Sequence, residues 1–208
     1  MKKSGLFIWG ITIIAGVFII SGVGAMNKGN IEALNAYKKF ETVNQNKTLS
    51  EATDFVLSDF SIDGSDLPDT EEILSFQGSR LTELLIPSDE KLWFIMDGKQ
   101  VKGIVLATDT ESRGAGREKT GPELYEMYQK IVNDLGEDVR LKYFDYAGGY
   151  IFVAVNSDGD ESVWLEQRAA RLLDATPGTK YNPEEIIEKI REGINPLEED
   201  SSDDDTIG

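Results

Sequence analysis

Lys91–Thr108 reads KLWFIMDGKQVKGIVLAT. The apolar run Leu92–Met96 predicts a strand, Asp97-Gly98 predicts a tight hairpin turn, and Val101–Thr108 predicts the returning strand. A hairpin here commits the chain to a fold with an antiparallel sheet. The segment that follows, Thr110–Lys119 (TESRGAGREK), reads as a glycine-rich charged loop. Thr120-Gly121-Pro122-Glu123 then opens a helix, with Thr120 as N-cap, Glu123 completing a capping box, and Pro122 in the first turn. Leu124, Met127, Tyr128, Ile131, Val132 and Leu135 form its apolar stripe, and Gly136 ends it.

Further on, hairpin and helix recur. Val139–Phe144 predicts a strand with Val139, Leu141 and Tyr143 on one face; Asp145–Gly149 turns; Tyr150–Val155 is nearly all apolar and reads as a central strand. Val163–Leu173 reads as a helix with Trp164, Leu165, Ala169 and Leu172 on one side, broken by Pro177-Gly178. Asn182-Pro183-Glu184-Glu185 starts a last amphipathic helix through Ile186, Ile187 and Ile190. The expected fold is α+β: an antiparallel sheet of about four or five strands, helices mainly on one face, in hairpin–helix–hairpin–helix order. The aromatic residues Trp93, Phe94, Tyr143, Phe144, Tyr146, Tyr150, Phe152 and Trp164 are read as core and cross-strand pairs.

Upstream the pattern is weaker. Asn30–Val43 reads as a helix with Ile31, Leu34, Tyr37 and Phe40 at three-residue steps. Ser50–Phe60 suits either a short helix or a strand, Asp63–Asp69 reads as loop, and Leu81–Ile86 is a short apolar element stopped by Pro87. Before all of these, Leu6–Ala25 is an unbroken apolar run preceded by Lys2 and Lys3. About twenty apolar residues match the bilayer hydrocarbon, so a single-pass transmembrane helix is expected, N-terminus inside and the remainder outside. Val23 and Ala25 also have signal-peptidase spacing, and cleavage after Ala25 would give a secreted protein. The domain plan is residues 1–26 as membrane anchor or signal, 27–49 as helical stalk, 50–196 as an extracytoplasmic α+β domain, and 197–208 as a disordered acidic tail.

Composition narrows the chemistry. The net charge is −17, which repels nucleic acid and favours cations and basic partners. The chain has no cysteine and no histidine. That removes disulfides, thiol nucleophiles, lipoprotein attachment, the usual Ser–His triad and most zinc sites. An extracytoplasmic domain of this composition suits a bacterial envelope.

One patch stands out. Arg113, Arg117 and Lys119 cluster beside Gly114 and Gly116, just ahead of the helix opened by Thr120. Cations, glycine backbone and a helix N-terminus together suit an anionic ligand or an acidic partner, although most charged loops of this kind are solvated connectors, here with cations balancing Glu111 and Glu118. It is not a nucleotide P-loop, because Glu118 stands where a glycine must precede the lysine. The stretch DGKQVKGIVLATDTESRGAG resembles the extracytoplasmic FMN-binding domains of membrane redox pumps, in their strand and ET-x-G-x-G loop. Leu173-Asp174-Ala175-Thr176 lies where that family carries an SGAT-type motif, whose threonine bears the flavin phosphate. The resemblance implies an FMN carrier, with three departures: Glu111-Ser112 replaces Glu-Thr, Asp174 replaces the required glycine, and no GYGG-like segment precedes the hairpin.

Asp59, Ser61, Asp63 and Gly64 mimic half of an EF-hand loop, but Thr70 stands where the bidentate Glu belongs. Asn156, Asp158 and Asp160 crowd a second turn. Weak calcium binding is the alternative there to solvated turns. No catalytic residue and no metal ligand emerges, and no cofactor is expected beyond calcium or FMN as alternatives. The leading expectation is a non-enzymatic, membrane-anchored binding, sensing or assembly domain. Its partners would be membrane lipid through residues 6–25 and other envelope proteins, without nucleic acid. The alternative is an envelope enzyme or cofactor carrier, either a carboxylate-based hydrolase or an FMN-binding-like domain.

Overall fold

The computed structural model describes residues 27–44, 55–116 and 118–194. In chain order these form α1 (Lys28–Asn44), β1 (Phe55–Leu57), β2 (Ile62–Asp66), α2 (Thr70–Ser75), α3 (Leu81–Leu84), β3 (Ile86–Asp97), β4 (Gln100–Ala107) and β5 (Ser112–Gly116). There follow α4 (Thr120–Leu135), β6 (Arg140–Tyr146), β7 (Gly149–Val155), β8 (Glu161–Leu165), α5 (Gln167–Leu172), β9 (Lys180–Tyr181) and α6 (Pro183–Ile194).

Among the described residues, nine strands make one mixed sheet in the order β5-β4-β3-β2-β6-β7-β8-β9, with β1 pairing β3 off that path. This corrects the expected antiparallel sheet of about four or five strands. Each expected hairpin is instead a three-stranded meander, and β2 joins the two meanders. β2 runs antiparallel to β3 but parallel to β6, with Asp63 opposite Lys142 and Gly64 opposite Tyr143. The expected loop over Asp63–Asp69 is therefore largely this joining strand. A register shift between Asp63 and Ser65 lets Ser65 sit opposite Pro87. Proline cannot donate to a ladder, and a bulge is where a strand tolerates it, so Pro87 lies inside β3 rather than ending an element.

The β3–β4 hairpin is as its sequence suggests, with Asp97 opposite Gln100 and loop positions Gly98 and Lys99. Gly98 has φ 59°, the left-handed backbone such a loop needs at its first position. β7 is buried along its whole length, consistent with its apolar sequence and its place between β6 and β8. The expected helix over Val163–Leu173 is instead a strand running into a short helix. Glu166 separates them, its side chain accepting the Ala169 N–H at 3.4 Å as the N-cap of α5.

Both faces of the sheet are covered. α4 buries Leu124, Met127 and Ile131 against Ile62, Leu92, Phe94, Ile104, Phe152 and Trp164. On the opposite face α5 and α6 pack Ala169, Ala170, Ile186, Ile187 and Ile190 over Ile151, Val153, Val163 and Leu165. α1 covers the other half of that face, with Ala33, Leu34 and Tyr37 against Phe55, Trp93, Ile95 and Val105. Alternation along β3 enforces the split, since Leu92 and Phe94 face α4 while Trp93 and Ile95 face α1.

The helix expected as a stalk thus lies on the sheet, and Ile31, assigned to its apolar face, is 39% exposed. The apolar run Leu6–Ala25 lies outside the described residues, as do residues 45–54, Arg117 and the acidic tail. Among the described residues no helix is long and apolar enough to cross a membrane, so the transmembrane, single-pass reading finds no support in the structure.

Candidate functional site

The first half of the cationic segment before α4 is not a loop. Ser112–Gly116 is the edge strand β5, pairing Gly114 with Leu106 and Gly116 with Ile104. The turn that returns the chain from β4 is held by Thr108, whose Oγ1 accepts the N–H groups of Thr110 (3.3 Å) and Glu111 (3.0 Å). α1 begins on this turn. Asn27 caps it by accepting the Asn30 N–H (2.9 Å) and donates to Asp109 Oδ1 (2.9 Å).

Three glycines let β4, β5 and the start of α4 approach closely. A Cβ at Gly121 would lie 2.5 Å from the Gly103 Cα, and one at Gly103 would strike the carbonyl of Gly116. The first turn of α4 therefore rests directly on the β4 backbone, which in turn packs against the Gly116 carbonyl of β5. Gly116, with φ 128°, also holds a conformation that L side chains rarely adopt.

The structure places Arg113, Gly114 and Gly116 along the edge strand β5, and Lys119 and Thr120 at the start of α4 that follows it. Arg113 is exposed and its Nη2 lies 3.6 Å from the Glu111 carboxylate. The N-cap is the exposed Lys119 rather than Thr120, and no side chain caps the helix there. Glu123, expected to close a capping box, reaches away and accepts the Gln167 N–H at the start of α5 (2.9 Å). Beside the corner, Tyr37, Glu41, Phe55, Asp97, Val101, Lys102 and Glu118 line a cavity of about 380 Å³. Burial pushes the Tyr37 phenol up, and the Glu41 and Glu118 carboxylates push it further.

Two further cavities, which the sequence did not signal, flank α4 where it faces the Pro177–Lys180 turn. One, about 240 Å³, is lined by Glu123, Glu126, Met127, Leu165, Glu166 and Pro177 among others. The second, about 520 Å³, is lined by Lys130, Asn133, Asp134, Trp164, Thr179 and Lys180. Lys130 lines both and donates to the Gly178 carbonyl at 2.6 Å.

Two of the buried carboxylates, Glu161 and Glu166, accept from backbone N–H groups at helix starts. Glu166 accepts from Tyr150 N (3.3 Å) and Ala169 N (3.4 Å), and Glu161 accepts from Leu81 N (2.6 Å) and the Thr82 hydroxyl (2.5 Å). Glu90 takes the Tyr143 hydroxyl at 2.5 Å; burial, then this bond, pushes that phenol far above its usual range.

The two segments that resemble the flavin domains stand apart. Residues 112–116 form one edge of the sheet, whereas Thr176 follows α5 near β9 at the other edge. Asp174 has φ 46°, a backbone for which glycine is the easier residue, and the Thr176 N–H donates to the Tyr181 hydroxyl (2.7 Å). In the Asn156–Asp160 turn, Asn156 Oδ1 accepts the Asp160 N–H (2.8 Å) and closes the turn on itself. Asp63 and Gly64 lie within β2 rather than in a calcium-type loop. Among the described residues no group of three or more carboxylates is placed to hold a metal ion. The chain matches no family model, and no curated protein or solved structure is significantly similar to it.

Proposed function

We propose that this protein is a non-catalytic binding or assembly domain of the cell envelope that docks an acidic ligand or partner at the β5–α4 corner. The observation that carries the reading is the start of α4. No side chain caps its N-terminus, its N-cap residue is the exposed cation Lys119, and the exposed Arg113 stands on the edge strand that leads into it. Uncapped N–H groups and the helix dipole favour a negative group at that point. Arg113 already faces Glu111 at 3.6 Å, and an exposed pair of this kind is weak enough to exchange for a better anion.

The non-catalytic reading rests on the missing histidine and cysteine and on the commitment of Glu161 and Glu166 to helix N-termini. A carboxylate that accepts backbone N–H groups is poorly placed to move a proton. The basic and apolar N-terminal sequence, Lys2-Lys3 followed by Leu6–Ala25, supports work outside the cytoplasm.

The test is a calorimetric titration of the protein with an oligoglutamate peptide and, separately, with inorganic phosphate, repeated on the variant Arg113→Glu/Lys119→Glu. Saturable heat with the wild type that disappears in the variant, with circular dichroism unchanged, supports the proposal. Equal heat from both proteins, or none from the wild type with either probe, overturns it.

A further inference from the structure

The larger groove beside α4 is open to solvent, with Lys130, Asn133, Asp134, Thr179 and Lys180 exposed around the buried Trp164. Lys130, Asn133 and Asp134 are spaced i, i+3, i+4 and so project from one face of the helix. Trp164 and Lys180 are cross-strand partners in the β8–β9 pair, which puts both on one face of the sheet. Trp164 is 1% exposed and forms the floor, with the Lys180 ammonium 5.8 Å from its ring centroid. Thr179 closes the side where β9 begins.

Unspent hydrogen-bond donors dominate this lining. The Lys130 ammonium uses one N–H on the Gly178 carbonyl (2.6 Å), and Lys180 turns one toward Asp134 (3.3 Å). Each retains two more. Among the described residues, the Asn133 amide and the Thr179 hydroxyl have no hydrogen-bond partner in the protein. The one carboxylate of the lining, Asp134, already faces Lys180. In a chain of net charge −17 this pocket carries two cations against one anion.

We infer that this groove binds a small hydroxylated anion, a sugar acid or a polyol phosphate. Its acid group would be held between Lys130 and Lys180, and its hydroxyls would meet Asn133, Thr179 and Asp134. An open groove of about 520 Å³ has room for a small molecule, and charge-assisted bonds from two ammonium groups supply its strongest anchor. The site lies on the C-terminal half of α4, away from the corner at the start of that helix, so the two assignments stand or fall separately.

The experiment uses the full chain carrying Trp9→Phe and Trp93→Phe, which leaves Trp164 as the emitting tryptophan. Glucuronate, glycerol 3-phosphate and neutral glucose are titrated in turn. An anion that draws Lys180 off the indole changes its emission. The expected result is a saturable change with glucuronate or with glycerol 3-phosphate, the responding probe identifying the acid group, and none with glucose. Asn133→Ala and Lys180→Ala should each weaken binding by roughly tenfold, while Arg113→Glu/Lys119→Glu leaves it unchanged. Absence of a saturable change with both anions, an equal response to glucose, or undiminished binding by Lys130→Ala/Lys180→Ala overturns the assignment.

Discussion

Removing the Glu161 carboxylate should unfasten α3 from the sheet. Its side chain is 2% exposed and sits at the start of β8. It accepts the Leu81 N–H at 2.6 Å, the Thr82 hydroxyl at 2.5 Å and the Thr82 N–H at 3.3 Å, and lies 3.6 Å from Arg80 Nε. In Glu161→Ala the donors at the start of α3 lose their acceptor inside the protein. Losing one partner of a buried charged network costs about 3–5 kcal/mol. Arg80 is 43% exposed, so solvent screens its share and the lower figure, about 3 kcal/mol, is the appropriate one. Glu161→Gln keeps one acceptor and should cost about 1.5–3 kcal/mol. At this size 1 kcal/mol moves Tm by about 2–4 °C, so the alanine variant should melt roughly 6–12 °C lower. Urea unfolding followed by far-ultraviolet circular dichroism measures both variants. An alanine variant within about 1 kcal/mol of the wild type would refute the reasoning, because a cost that small is a single neutral hydrogen bond.

Other expectations follow from the same structure. Gly121→Ala forces a Cβ to within 2.5 Å of the Gly103 Cα and should destabilise by about 1–3 kcal/mol in urea unfolding, with disturbance centred on β4 and α4 in amide exchange. Ala147 holds φ 50° in the two-residue β6–β7 turn before Gly148, so Ala147→Asn should stabilise by up to about 1 kcal/mol in the same assay. The phenols of Tyr37, Tyr128, Tyr143 and Tyr146 are all pushed above the ordinary value of 10.0, with burial the first cause in each. A raised value in the fold favours the neutral phenol, so this stability is whole below pH 10 and drains away as pH rises above it. Ultraviolet titration of the native protein should show these tyrosines ionising late, together with unfolding, and Tyr143→Phe should flatten the alkaline loss.

Elements with a strong local pattern were legible in the sequence. The Leu92–Thr108 hairpin, the α4 stripe through Leu124, Met127 and Ile131, the buried strand Tyr150–Val155 and the α6 stripe of Ile186, Ile187 and Ile190 all appear where their periodicity puts them. The misread elements share a physical reason, which is that their neighbours in space decide their form. β2 carries Asp63, Gly64, Ser65 and Asp66, residues typical of turns, yet β3 and β6 pair it on both sides. β5 lacks alternation because Gly116 holds φ 128°, a backbone that favours glycine, and its carbonyl packs against Gly103 of β4. In Val163–Leu173, Trp164, Leu165, Ala169 and Leu172 mimic a helical face while belonging to two elements divided by the Glu166 cap. Thr120 and Glu123 have capping-box spacing, but Gly121 seats the helix start on Gly103 and turns Glu123 toward α5. For the candidate site, the sequence put Arg113 and Lys119 on the two elements that meet at this corner, while Arg117 lies outside the described residues. The groove over Trp164 was invisible because it assembles from α4, β8 and β9, which meet only in three dimensions.

The most direct test of the functional account is a backbone amide NMR titration of the protein with oligoglutamate peptide. The account predicts the largest shifts at Gly114–Gly116 and in the first turn of α4, Thr120 to Glu123, with little change around Trp164 and Lys180. Shifts confined to other regions, or no shifts at saturating peptide, would contradict it.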